Sequence, residues 1–521
     1  MAYALENFQD LRATLNANVN VTTESAILQA LAQSSLVPGA PLGVFVDNGV
    51  GPLDTPNGPL QHSFYMPGSG ELYIDTVAGE AIVYGSSGHN VLASGSANSF
   101  IIDAGPGYDT LVGGSGIEVL DVQRGNNLLI AGSSPTTLYG GSGNDTLLAG
   151  GHTFAQAGTG NAVIVGGLVA GAADTLVGGS GADEIVAIEG ANSLVAGTGL
   201  NTLYGGSGND TLEGAGAGSH ALLLAGSGNQ TLVATANDTI IGGSGNDNIY
   251  ATGGTNYMQA GSGANTITGG SNTAVAAGHF ADTLVGGGAS WLNAGSGTNL
   301  LMADNSVTSH DTLVGGSGGS ELVATQGNNI LEGGQYATSH DTLYGGAGAD
   351  QLSAQQGSNL LIAGTGANYL QGGAGQDTLD GSSVAGTSAT LIGGSGHNLL
   401  EGEAGNVQMV ANGNFTTIST GLGTDQVIGS MTGHDTINVG DASIAVIQGG
   451  TGAGSADTIN MGVGGSVFVV AGTNTTIDDG NASTFTQATS GGITTFTFQN
   501  GQMLQVQGTA TVSTTHGIVN T

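Results

Sequence analysis

The chain has 521 residues, of which 100 are Gly, 8% are charged and 5% are aromatic, a composition that excludes an ordinary globular core filled with large side chains. The formal net charge is −36, the only basic residues other than His are Arg12 and Arg124, and lysine is absent. Nucleic acids and anionic membrane surfaces are held by Lys and Arg, so both are excluded as partners, and the unneutralised carboxylates point to cations.

Residues 1–75 hold two predicted short helices, near Leu5–Asn16 and Glu24–Ser34, followed by the Pro- and Gly-rich passage VPGAPLGVFVDNGVGPLDTPNGPL. This segment is expected to cap the fold and to take part in assembly. No basic n-region precedes an apolar h-region, so export is expected to proceed without a cleaved N-terminal signal. No apolar run reaches the roughly 18 residues of a membrane span, and membrane insertion is not expected. Cysteine is absent, which removes disulfides and thiolate metal sites.

A solenoid domain is set at residues 76–480. Within it, from about Ala104 to Asp478, the sequence falls into rows of roughly nine residues, each a small-residue turn followed by a short apolar segment such as TLV, TLY or NLL. Gly supplies positive φ and close backbone approach in the turn, and the alternation of a strand turns one apolar side chain inward per row. Stacked rows bury a ladder of Leu, Ile and Val. The predicted fold is all-β, a right-handed parallel β-solenoid with one strand per row.

The rows GGSGNDTLL (Gly140–Leu148), GGSGADEIV (Gly178–Val186), GGSGNDTLE (Gly205–Glu213) and GGSGNDNIY (Gly242–Tyr250) resemble the calcium-binding nonapeptide of the repeats-in-toxin (RTX) family. The resemblance implies that the first six residues of a row form a turn holding Ca²⁺ through backbone carbonyls and the Asp carboxylate, and that the last three form the strand. Carried over row by row, it implies calcium ligation by Asp109, Asp145, Asp183, Asp210, Asp247, Asp350, Asp377 and Asp425. Other rows carry Asn in that place, as at Asn201, Asn265 and Asn368, and are expected to form structural amide ladders.

Acidic rows recur at two spacings. Asp183 and Asp210 are 27 residues apart, as are Asp350 and Asp377, whereas Asp174 to Asp183 and Asp341 to Asp350 are steps of nine. No sixth-position Asp has another 18 residues later, where the family's two-sided β-roll stacks like on like. A three-sided coil is therefore preferred, with Asp183 beneath Asp210 and not against Asn201, and the two-sided roll is the alternative.

Other chemistry is sparse. GGSGG at Gly315–Gly319 fits G-x-S-x-G with Ser317, but that motif needs a strand-to-helix turn and His and Asp partners. His310–Asp311, His340–Asp341 and His434–Asp435 are repeated His–acid pairs, and stacking of His310 on His340 would make a small transition-metal site. No H-E-x-x-H is present, and the chain is not expected to be an enzyme.

Residues 481–521 are expected to be a β cap: GGITTFTFQNGQMLQVQG alternates as two strands joined at QNGQ, an Asn-Gly hairpin signal. This tail, poor in charge and rich in Thr, Val and Gly, also resembles the uncleaved signal of type I secretion substrates, which implies an extracellular or cell-surface location. The position ending each strand is apolar or aromatic at Val112, Tyr139, Val177, Val195, Tyr204, Val233, Tyr250, Val285, Val314, Tyr344 and Ile362, a pattern that suits self-association. The expected function is a secreted calcium-binding structural protein that polymerises with itself into a filament, surface layer or biofilm matrix. The alternative is a monomeric calcium-dependent adhesin or carbohydrate-binding module, with cell-surface polysaccharide as the partner.

Overall fold

The computed structural model describes residues 107–521 apart from 168, 215, 217–219, 442 and 481–483, and before them the backbone of the strands Ala2–Leu5, Leu42–Asp47, Gln61–Tyr65, Glu71–Asp75, Glu80–Gly85, Val91–Ser94 and Ser99–Asp103. Every regular element among these residues is a β-strand. The helices expected near Leu5–Asn16 and Glu24–Ser34 lie outside the described residues, save Leu5, which ends the strand Ala2–Leu5. The chain divides into two compact units, residues 1–262 and 263–521.

In the first unit, alternate rows join alternate sheets. Leu128–Ile130 lies in parallel between Thr110–Val112 and Thr146–Leu148, with Leu129 in register with Leu111 and Leu147. The intervening strand Thr136–Tyr139 lies between Glu118–Val122 and Thr153–Gln156 in the other sheet. The same parallel pairing runs back to Leu42–Asp47, so coil strands begin inside the segment that composition set apart as residues 1–75. The second unit repeats the scheme, for example with Leu331 between Leu313 and Leu352 in one sheet and Leu343 between Leu322 and Leu361 in the other.

A coil is thus two rows, about 18 residues. The parallel solenoid is the predicted class, but its preferred three-sided form is corrected to the two-sided one. Asp183 donates its N–H to Asn201 Oδ1 at 2.8 Å, 18 residues on, in the pairing that the triangular form forbids. Like does not stack on like here, so the missing Asp at a spacing of 18 never argued against two rows per coil.

Each three-residue strand points its middle side chain inward. Leu129, Leu147, Ile164, Ile185 and Leu203 from one sheet and Leu138, Leu176, Leu194 and Leu212 from the other are 0% exposed. Such a coil buries two large aliphatic side chains, each contributing about 1.5–3 kcal/mol, and the later coils with Val407 and Met409 or Val467 and Val469 bury a third. So thin a core holds only if the coils touch closely elsewhere, and they do so at the turns. Ser142, Thr159, Ser180 and Thr198 continue a parallel bridge ladder along one edge. Gly143 has φ +133°, and a Cβ there would overlap the carbonyl oxygen of Gly125 in the neighbouring coil.

In the second unit the hairpin expected at QNGQ is present: Ile493–Phe498 pairs antiparallel with Met503–Gln507, and Gly501 takes φ +84° in the turn. Met503–Gln507 lies in parallel on Ser466–Val470, and Ala510–Thr514 on Thr475–Asp479. Antiparallel strands Phe485–Ser490 and Gly517–Asn520 then finish the two sheets.

Gly143→Ala is expected to lower the melting point more than Gly171→Ala, because Gly171 also has positive φ (+81°) but no atom within 4 Å of an added Cβ. The φ penalty alone is about 1–3 kcal/mol, and equal melting points for the two variants in thermal unfolding would show that coil contact at the turn is unimportant.

Candidate cation ladders along the coil edges

The sixth residue of each row sits where the turn enters the strand, with its side chain folded under the turn. Along one edge of the first unit the order is Asp109, Asn127, Asp145; along the other it is Asp174, Asn192, Asp210, Gln230, Asp247. All eight are at most 3% exposed. Asp145 Oδ1 accepts both the main-chain N–H of Asn127, at 2.7 Å, and its Nδ2–H, at 3.0 Å, while Asn127 Oδ1 accepts the N–H of Asp109 at 2.9 Å. Asp210 receives the same pair of bonds from Asn192, at 2.7 and 3.0 Å, and Asp377 receives it in the second unit from Asn359, at 2.9 and 3.0 Å.

Amide and carboxylate therefore alternate along these stretches, while elsewhere Thr153, Ala162 or Ala221 takes the amide's place and gives a main-chain N–H to Asp174, Asp183 or Asp238. The expected amide ladders are corrected accordingly: Asn at the sixth position stacks on Asp, because an amide supplies the N–H that a buried carboxylate needs and a second carboxylate supplies only repulsion. Where both edges alternate, as from Asp174 to Asp210, the chain order becomes two acidic rows followed by two neutral ones, and the spacings there are nine and 27. The sequence alone puts acids and amides in separate ladders, whereas Asn127, Asn192, Asn329 and Asn359 bind coil to coil by donating to the acids themselves. Among the eight candidate ligands, Asp145 follows Asp109 on one edge with Asn127 between, and Asp247 follows Asp210 on the other with Gln230 between.

The second carboxylate oxygen divides the acids. In Asp183 and Asp377, Oδ2 accepts a main-chain N–H from its own turn, from Gly179 at 2.9 Å and Gly373 at 3.0 Å. In Asp145, Asp210 and Asp350 it is buried and accepts no hydrogen bond. Asp425 is also buried, with Oδ1 accepting the Val407 N–H at 3.0 Å.

The residues fit a calcium ion. A Cβ placed on Gly140 would overlap the carbonyl oxygen of Ala157 and stand 3.2 Å from Asp145 Oδ2. The same convergence occurs at Gly178 with Ala196 and Asp183, at Gly242 with Ala260 and Asp247, and at Gly372 with Gly393 and Asp377, 3.0–3.1 Å from the carboxylate oxygen. Carboxylate and backbone carbonyl oxygens aimed at one small space are the donors of a hard cation. Among the described residues no three His, Cys, Asp or Glu side chains cluster as a metal site, so the backbone has to supply part of any shell.

Burial raises the carboxyl pKa of Asp145, Asp247 and Asp350 from 3.8 to about 6. Asp210, Asp377 and Asp425 are raised by the same cause, partly opposed by their hydrogen bonds.

Other sequence candidates dissolve. His310 precedes the strand Thr312–Val314 in one sheet and His340 precedes Thr342–Tyr344 in the other, so they cannot stack, and their Nδ1 atoms face the carbonyls of Asn328 and Ser358 at 3.2 and 3.3 Å. Ser317 lies in a turn between the strands Thr312–Val314 and Glu321–Val323, not on a strand-to-helix elbow.

A family model for the RTX calcium-binding nonapeptide repeat (four copies) matches residues 101–129, 121–151, 170–187, 186–217, 224–258, 234–267, 250–273, 308–335, 338–361, 353–387 and 386–406. No curated protein matches the chain.

Acidification should stabilise the calcium-free protein. With folded pKa values near 6 against 3.8, the buried acids bind more protons folded than unfolded between those values, so stability rises as pH falls from about 6 to about 4. Melting followed by circular dichroism in chelator should give a higher midpoint at pH 5 than at pH 7.5, with calcium adding less at pH 5; a midpoint that falls on acidification would contradict the burial of charge.

Asp145→Asn should lower calcium uptake at pH 7.5 while leaving a folded coil, since an amide already serves in this ladder at Asn127. Calorimetric titration checks it, and unchanged uptake would remove Asp145 as a ligand.

Proposed function

The chain belongs to the RTX calcium-binding nonapeptide-repeat family, and we propose that it is a secreted structural protein whose solenoid sets when it meets calcium and then joins to further copies of itself in an extracellular polymer. The observation that carries this reading is that, in each unit, the described strands form the same repeating coil, closed in the second unit by hairpins.

Calcium gives the coil its timing. Buried carboxylates without basic partners weaken it where calcium is scarce, as inside a cell, and an ion that binds only the folded coil stabilises it by linkage where calcium is plentiful. Proteins with repeats of this family are typically secreted, and the Thr-, Val- and Gly-rich tail supports export by the type I route.

Self-association is supported by the outer faces. Tyr139, Tyr204 and Tyr250 are 37–40% exposed, and Tyr139 meets the exposed Phe154 of the adjoining strand edge-on, ring centroids 6.2 Å apart. Val177, Val195 and Val233 are half-buried at the same outer position, whereas Val112 is buried and adds nothing to that surface. The C-terminal hairpins and the N-terminal strand Ala2–Leu5 are each folded on their own coil, and the proposed joint has Ala2–Leu5 leave Leu42–Asp47 to the edge of another copy.

Negative-stain microscopy in millimolar calcium should show polymers of the full chain, dispersed by chelator, and unassembled but folded protein once residues 1–41 are removed ahead of Leu42–Asp47. A full-length chain that stayed monomeric in calcium would end this reading in favour of the monomeric adhesin.

A further inference from the structure

The family match ends at residue 406, yet one outer face of the second unit becomes more regular beyond it. The strands Thr417–Ser419, Thr436–Asn438, Thr458–Asn460, Thr475–Asp479 and Ala510–Thr514 lie in parallel register in one sheet. Their outward residues form two files. The first is Thr417, Thr436, Thr458, Thr476 and Thr511; the second is Ser419, Asn438, Asn460, Asp478 and Ser513.

Thr returns to the same place although successive members of its file are 19, 22, 18 and 35 residues apart. A nonapeptide copied along the chain would give one spacing, so the place on the face, and not a copied row, accounts for the Thr. The liking of strands for Thr does not account for it either. In the same coils the outward file of the opposite sheet runs Gln408, Gln426, Val446, Phe468, Gln505.

A second, independent observation lies beneath the same ten residues. The inward side chains between the two files are Ile418, Ile437, Ile459, Ile477 and Val512, all fully buried, where the preceding coils of that sheet place Leu343, Leu361, Leu379 and Leu400. Branching at Cβ restricts χ1, so the floor under the files is stiffer than the Leu ladder before it. Asn460 donates its Nδ2–H to Asn438 Oδ1 at 2.8 Å, which fixes two members of the second file against each other. The face is set before anything meets it.

Spacing, charge and area decide the occupant. Neighbours within a file are one strand spacing, about 4.8 Å, apart, and the files are two residues apart along each strand, about 6.6 Å. Both lengths are close to the repeats between water oxygens in the lattice of ice. Asp478 is the one ionised side chain among the ten, in a chain of net charge −36, so the face suits an uncharged partner. It extends over roughly 20 Å by 7 Å, far short of the about 800 Å² that a second copy of the chain would need for a stable interface. It holds no aromatic ring on which a sugar could stack. Each Thr presents a hydroxyl that bonds water and a methyl that does not, which holds water at fixed points of the face.

We propose that these two files are an ice-binding face, on which water ordered by Thr, Ser and Asn joins the surface of a growing ice crystal. Such a face acts in a single chain and in a polymer alike.

The test uses the full chain in millimolar calcium. The wild type should hold the freezing point of a seeded solution below its melting point, and fluorescently labelled protein should be taken up into a growing ice hemisphere. Thr458→Tyr, at the centre of the first file, should abolish both with the circular dichroism spectrum retained, since strands accept Tyr. Thr436→Ser, the smaller change, keeps the hydroxyl, loses the methyl and should reduce the freezing-point gap. Val446→Tyr, on the outer face of the opposite sheet in the same coil as Thr458, should change neither readout. A wild type without effect on ice overturns the proposal, as does equal loss in Val446→Tyr and Thr458→Tyr, or full activity in both Thr variants. Retention of the wild type on crystalline chitin or cellulose, with exclusion from ice, would overturn it in favour of a polysaccharide site.

Discussion

The structure depends on how buried carboxylates are kept apart along the coil edges. Two unit charges one strand spacing apart, about 4.8 Å, repel by about 3–4 kcal/mol at an effective dielectric constant near 20; two coils apart the figure is halved. With only two large aliphatic side chains per coil to oppose it, a solenoid with Asp at every level would spend most of its hydrophobic gain on that repulsion. Alternating Asp with Asn removes the nearest-neighbour term and replaces it with a hydrogen bond, as Asn127 does for Asp145 and Asn192 for Asp210. What repulsion and desolvation remain are left for a cation.

Close backbone contact at the turns follows from the same economy of side chains. Glycine at Gly143, where a Cβ would strike the neighbouring coil, lets successive turns rest directly on one another, so the edges contribute cohesion that the narrow core cannot. Each coil then depends on its immediate neighbours, as in other solenoids. A chain built this way has no central nucleus to protect and needs its ends closed. In the second unit the reversal to antiparallel pairing at Phe485–Ser490 and Gly517–Asn520 does so, and Phe485–Ser490 presents the polar stretch TQATS to solvent instead of an apolar edge.

The edges offer a cation more than one setting. In the nonapeptide rows a cation would add to an edge already joined by amides, as at Asn127 and Asn192. At the step from Asp435 to Asp457, whose Oδ1 accepts the Asp435 N–H at 3.1 Å, no amide side chain intervenes and two carboxylates stand one coil apart. Tyr139, Tyr204 and Tyr250 are exposed on the outer faces, whereas the ladder acids are buried at the edges.

The amino-acid order by itself determined the class of fold, the strand in each row and the chemistry of the ion. The period of nine places one inward Leu per turn, as Leu129 and Leu138 show, and oxygen ligands without basic partners point to a hard cation. The hairpin at Asn500–Gly501 was equally legible, because a tight turn is a local matter of φ. The number of rows per coil was not. Two acidic rows followed by two neutral ones give spacings of nine and 27 whether a coil is counted as a two-row or a three-row level, and the choice turns on what a buried carboxylate prefers as its neighbour. Only the tertiary structure places Asn201 against Asp183, puts His310 and His340 in opposite sheets, and lines up Thr417, Thr436, Thr458 and Thr476 in one file. These are contacts between coils, made across half-turns of chain whose lengths vary from row to row, so no fixed spacing in the sequence records them.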